Sequence, residues 1–148
     1  MNNIKTFENF NNQDIFKYVK NNDIESVKNY INSGYDLNIQ NDVGGDTTLI
    51  WASRNNKIEI VKILLNAGAY IDKQTNNGDT ALIKAAFYDN RGTVEILLDY
   101  GADEFILNDE NKEYFTQKYP TNVYSAISHN YKKSFTEFIK DHNIKIKK

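Results

Sequence analysis

The sequence predicts an all-α solenoid, a stack of short helix–turn–helix units. Three observations carry that prediction. Residues 47–72 (TTLIWASRNNKIEIVKILLNAGAYID) align on residues 80–105 (TALIKAAFYDNRGTVEILLDYGADEF) at a constant offset of 33 with no gap. Each copy opens on a threonine, Thr47 or Thr80, and closes on a Gly-Ala pair, Gly68-Ala69 or Gly101-Ala102. Between those marks the apolar residues fall at helical spacing, as in Ile58, Val61, Ile63, Leu64 and Leu65. One such pair of short helices cannot bury its apolar face alone, whereas three or four copies stacked in register can.

The elements follow in chain order. Residues 15–38 match 49–72 at an offset of 34, pairing Asn21-Asn22 with Asn55-Asn56, Val27 with Val61 and Gly34 with Gly68. The extra residue belongs to the intervening turn, where Gly44-Gly45 stands against the single Gly78. In the second copy Thr47 is placed to cap a short helix, its hydroxyl accepting a backbone N–H one turn on. Leu49, Ala52 and Ser53 give that helix a small-residue face, and Asn55-Asn56 break it, since Asn tolerates turn geometry. The longer helix from Ile58 then runs to Gly68, the expected left-handed stop. The polar run 72–78, ending in Asn77-Gly78, is a turn leading to the next threonine. A looser fourth copy, residues 121–142, matches 80–101 at an offset of 41. Its additional residues lie in 107–120, where Tyr114, Phe115 and Tyr119 predict a short helix over 111–118 that stops before Pro120 and covers the last repeat. The whole chain, 1–148, is thus one domain of repeats at about 13–41, 42–74, 75–107 and 108–142. Residues 1–12, containing Ile4, Phe7 and Phe10, form an N-terminal extension, and 143–148 a basic tail. Lys17, Lys20, Asn21 and Asn22 give the first copy the wet outer face a terminal repeat needs.

Composition excludes several classes. At 40% hydrophobic residues the chain can build a core, and a net charge of −2 argues against a nucleic-acid partner. Without cysteine there are neither disulfides nor thiolate metal sites, which fits a reducing compartment but by itself locates nothing; the expected setting is cytoplasmic, in the producing cell or in a host cell. The start MNNIKTFENFNNQD is no secretory signal, and no window approaches the 18 apolar residues of a membrane span. The only histidines are His129 and His142, and no zinc, nucleophile-elbow or phosphate-loop motif is present, so neither an enzyme nor a cofactor is expected. Carboxylates such as Asp42, Asp46, Asp72, Asp79, Asp99, Asp103, Asp109 and Glu110 cluster in turns, where they read as solvated capping groups; the spacing of a calcium loop is missing. The abundance of Asn, Ile, Lys and Tyr is the bias of an AT-rich coding sequence.

The repeating unit resembles the ankyrin repeat, whose usual signature runs D-x-x-G-x-T-P-L-H-x-A-A, then G-H-x-x-I-V, then L-L-x-x-G-A. Here DVGGDTTLIWAS, KIEIVKILLNAGA, NNGDTALIKAA and TVEILLDYGA carry it, clearly over residues 13 to about 106 and loosely over 121–142. Thr48 and Ala81 depart from it by replacing the first-turn proline, and Ile50 and Ile83 by replacing the histidine, so apolar packing is expected where that histidine would hydrogen-bond. In the third copy Arg91 takes the place of Ile58, and Gly92 is expected to loosen the start of its helix.

The resemblance implies an ankyrin-repeat solenoid with a degenerate C-terminal capping repeat, binding another protein along a concave face lined by the first helices and the finger-like turns beside them. Carried over by position, the finger residues are Val43, Asp46, Asn76, Asn77 and Asp79. The concave helix positions are Lys17, Trp51, Lys84 and Ser125, then Arg54, Phe87 and Ser128, with Asn55, Tyr88 and His129 at the helix exits. Trp51, Phe87 and Tyr88 beside Arg54 and Lys84 have the aromatic-plus-cation character of interface anchors. Against that stand two bland readings: Phe87 fills the gap opened by Arg91 and Gly92, and Trp51 is simply tolerated at its point of the repeat. The expected role is that of an adaptor or stoichiometric inhibitor, monomeric when free; the AT-rich composition suggests a virus-encoded or host-directed one. The rival is a structural repeat protein that self-associates through its end caps.

Overall fold

The computed structural model describes residues 11–104, 106, 108 and 109. Among these the regular structure is helical throughout, in three pairs: α1 (Asp14–Lys20) with α2 (Ile24–Asn32), α3 (Thr48–Arg54) with α4 (Ile58–Asn66), and α5 (Ala81–Phe87) with α6 (Arg91–Asp99). The fourth copy, the predicted helix at 111–118, residues 1–10 and the basic tail lie outside the described residues.

Local chemistry sets each boundary. The hydroxyls of Thr47 and Thr80 accept the N–H of Ile50 and of Ile83, both at 3.2 Å, closing the first turns of α3 and α5. Asp23 does the same for α2, taking the Ser26 N–H at 3.0 Å and the Ser26 hydroxyl at 2.6 Å. These two bonds hold the Asp23 carboxyl below its usual pKa, the side-chain bond from Ser26 being the larger cause. Between the helices of each pair one residue takes left-handed geometry: Asn22, Asn56 and Asp89, at φ 57°, 53° and 56°. Asn and Asp tolerate this region better than most side chains, which is why the break falls on them.

The helices stack in two layers. In the inner layer α3 packs between α1 and α5; in the outer layer α4 packs between α2 and α6. The core runs through all three pairs, from Ile15, Val19, Val27 and Tyr30 through Leu49, Ala52, Ile60, Val61 and Leu64 to Leu82, Ala85, Val94 and Leu97. Ile50 and Ile83 are buried in it, as expected of apolar residues that replace a polar one. Alanines on the inner helices let neighbouring backbones approach closely, and Ala52, Ala85 and Ala86 are all fully buried.

Gly92 does not displace the start of its helix. Helix α6 begins at Arg91, in register with Ile58 at the start of α4. A Cβ at Gly92 would lie 3.3 Å from Ile58 Cδ1, so the missing side chain is where the preceding repeat packs. Arg91 turns outward and pairs with Asp89 at 3.0 Å. The turn is further tied by Asn90, whose Nδ2 donates to the carbonyls of both Ser53 and Arg54 at 2.8 Å, satisfying the exposed end of α3 from the next repeat.

Candidate functional site

The fingers are short turns closed by backbone hydrogen bonds. In the second finger Thr75 N–H donates to Asp79 O at 2.9 Å. In the first, Asn41 N–H donates to Asp46 O at 2.9 Å, enclosing one more residue. The single insertion between the first two copies therefore sits in the first finger tip, and there Val43 is 95% exposed. Adjacent fingers are joined edge to edge, by Asn76 N–H to Gly44 O at 3.0 Å and by Asp109 N–H to Asn77 O at 2.8 Å. This approach explains the tip glycines. Gly45 has φ +70°, and a Cβ on it would fall well inside contact distance of the Asn76 side-chain amide. Gln40 reinforces the joint, its Nε2 donating to Gly45 O at 2.6 Å and to Gln74 O at 2.9 Å. Gln74 makes the equivalent bond to Gly78 O at 2.7 Å. These glutamines are missing from the predicted site residues, although their offset of 34 repeats the register of the first two copies.

At the finger bases the structure corrects the sequence reading. Asp46 and Asp79 are not solvated turn carboxylates: they are only 8% and 7% exposed. Each is paired with a cation from the inner helix of its own repeat, Asp46 with Arg54 at 3.4 Å and Asp79 with Lys84 at 2.6 Å. Asp79 also accepts Asn108 Nδ2 at 2.6 Å. Partial burial weakens the screening that makes exposed ion pairs negligible, so these carboxylates fix their cations over the concave face.

Four concave positions make a diagonal pattern. Trp51 and Lys84 occupy one equivalent position of α3 and α5, and Arg54 and Phe87 the other. At each of the two positions one repeat thus carries an aromatic and the other a cation. Tyr88 extends the aromatic corner: its ring lies 5.2 Å from that of Phe87 at 71°, an edge-to-face pair. Both remain in contact with solvent, Phe87 at 39% and Tyr88 at 52% exposure. At the neighbouring exit Asn55 donates its amide to Trp51 O at 2.8 Å. Asn76 and Asn77 lie exposed on the second finger. The structure thus brings Asp46, Trp51, Arg54, Asp79, Lys84 and Phe87 to one face. Ser125, Ser128 and His129 lie outside the described residues.

Among the described residues no group of three or more His, Cys, Asp or Glu could hold a metal ion. No described helix is long and apolar enough to cross a membrane.

Comparison with known proteins agrees with this architecture. The family model described as ankyrin repeats (3 copies) matches residues 15–109. An ankyrin repeat protein of fowlpox virus is 38% identical over 109 residues, covering 72% of this chain and 31% of its own. One from Coxiella burnetii is 36% identical over 94 residues, covering 57% of this chain and 28% of its own. The chain therefore spans about a third or less of the length of these relatives. Among solved structures, the ankyrin repeat domain of Bcl-3, a member of the IkappaB protein family, superposes with a TM-score of 0.65 at 28% identity, over 74% of this chain and 45% of that one. Periodicity, the two-layer stack of helix pairs and these likenesses converge: the chain belongs to the ankyrin repeat family, whose repeats are protein-binding modules.

Proposed function

We propose that this chain acts by occupancy, as an adaptor or stoichiometric inhibitor that docks another protein on the concave face and the finger tips. The carrying observation is the solvent-facing pair Phe87 and Tyr88, 39% and 52% exposed beside a charge-paired lysine. Their counterparts in the other repeats, Arg54-Asn55 and Lys20-Asn21, are polar, so the stack itself does not call for aromatics there. Aromatic anchors on a rigid, preformed surface bind with little ordering cost. Val43, Asn76 and Asn77 at the finger tips, with Asn55 at the helix exit, form the polar and apolar rim. The cytoplasm, of the producing cell or of a host cell, is the setting that fits a cysteine-free chain, and the fowlpox relative favours a virus-encoded, host-directed role.

The test is a paired capture experiment from lysate of the native organism or its host, with the wild-type chain and the Phe87→Ala/Tyr88→Ala variant as baits. Loss of the partner from the variant, with the melting temperature held within about 5 °C, is the expected result, because both side chains are half-exposed. Equal capture by both baits would show that the partner docks elsewhere.

A further inference from the structure

The concave face is not uniform in charge along the stack, and the reason is visible at the finger bases. In the second and third repeats an aspartate, Asp46 or Asp79, neutralises the concave cation. In the first repeat the equivalent position is Asn12, which carries no charge. That repeat has two concave cations, Lys17 and Lys20, in register with Trp51 and Arg54, and both are exposed. Of its carboxylates, Asp14 accepts the Asn11 N–H at 2.7 Å, Asp23 takes Ser26, and Asp36 accepts the Asn38 N–H at 2.8 Å; these bonds leave them charged but hold them locally, and Glu25 lies exposed on α2. Among the described residues neither lysine has a carboxylate within ion-pair distance. One end of the face thus carries two exposed lysines with no ion pair among the described residues, and at the other the aromatics stand beside a lysine already paired with Asp79.

Resting on the proposed docking at the concave face, we infer that its occupant is a peptide segment of the partner with acidic residues at one end and an apolar anchor at the other. The acidic end lies over Lys17 and Lys20 and the anchor over Phe87 and Tyr88, which fixes the direction of the segment. Inner helices packed side by side are 8–10 Å apart, so two steps from α1 to α5 span about 16–20 Å. An extended segment covers that in about five or six residues. Charge complementarity at the lysine end supplies direction and rate, while the desolvated aromatic end supplies most of the affinity. A basic segment is repelled at the first repeat, and a wholly acidic one finds no free cation at the third.

The test is selection from a random peptide library on the full chain, followed by binding measurements on the enriched peptides. Enrichment of an acidic cluster about five or six residues from an aromatic or aliphatic residue is the expected result. Lys17→Glu/Lys20→Glu should weaken those peptides about tenfold and abolish the acidic preference on reselection. Phe87→Ala/Tyr88→Ala should weaken them at least as much, with the acidic preference retained. If charge reversal lowers the melting temperature, Lys17→Gln/Lys20→Gln replaces it, with a smaller loss and a flattened salt dependence as the expected result. Peptides that depend on Phe87 and Tyr88 but are basic or uncharged, or that ignore the lysine substitutions, would overturn this inference and leave the docking face standing. Peptides indifferent to Phe87 and Tyr88, or no enrichment at all, would overturn both.

Discussion

Ser53 is the least comfortable side chain in the described structure. It is fully buried on α3, and its hydroxyl has no hydrogen-bond partner. The equivalent residue one repeat on is Ala86, equally buried and free of that problem. A buried unsatisfied hydroxyl costs about 1–3 kcal/mol, so Ser53→Ala should raise stability by about 1 kcal/mol in urea denaturation. Tyr30 makes a second prediction at this scale. It is fully buried and stacks on Tyr35 with ring centroids 5.0 Å apart. Burial, with the nearby Asp36 charge, pushes its pKa up to about 12 from 10.0. The neutral phenol is therefore the folded form, and the unfolded chain ionises first. Stability from this group is complete below pH 10 and falls as pH rises towards 12, by about 2–3 kcal/mol in all. Tyr30→Phe should flatten that decline relative to wild type when stability is followed across this range.

At the scale of the element, the stack is held by more than apolar burial. Asn90 reaches back from the third repeat to two carbonyls at the end of α3. Asn90→Ala should cost about 1–2 kcal/mol, the loss of two hydrogen bonds at a partly buried site, and thermal unfolding would register it. The helices themselves were legible in the sequence. Thr47 and Thr80 announce the starts of α3 and α5, Asn22 and Asn56 the reversals, and Gly68 and Gly101 the stops, because each answers to a local backbone requirement. The bonds of Asn90 and Gln40 were not legible, since a side-chain amide that crosses between repeats depends on how closely two backbones approach, and no periodicity encodes that distance. Gly92 is a case of the same kind. Its intrinsic cost as a helix residue is readable from sequence, but the methyl of Ile58 that a side chain there would crowd comes from the repeat before.

At the scale of the whole molecule, joined fingers and stacked inner helices form one continuous face. The burial of Asp46 and Asp79 belongs to this scale. Turn carboxylates are ordinarily solvated; here neighbouring fingers lie edge to edge and cover the bases of the turns, leaving each carboxylate to a single cation. The diagonal of aromatics and cations was visible as residue types at equivalent positions, while the pairing that cancels two of the charges required coordinates. A stack stiffened in this way offers its partner a surface that needs no rearrangement. Association through the end caps, by contrast, would leave that face empty and appear as concentration-dependent oligomers in light scattering. The most direct discriminator is NMR chemical-shift mapping on the labelled chain as the captured partner is added. Perturbations should concentrate on the Trp51 indole, Arg54, Lys84, Phe87, Tyr88 and the finger tip at Val43. Shifts confined to Lys62, Glu95 and the other exposed residues of α4 and α6 would contradict binding at the concave face.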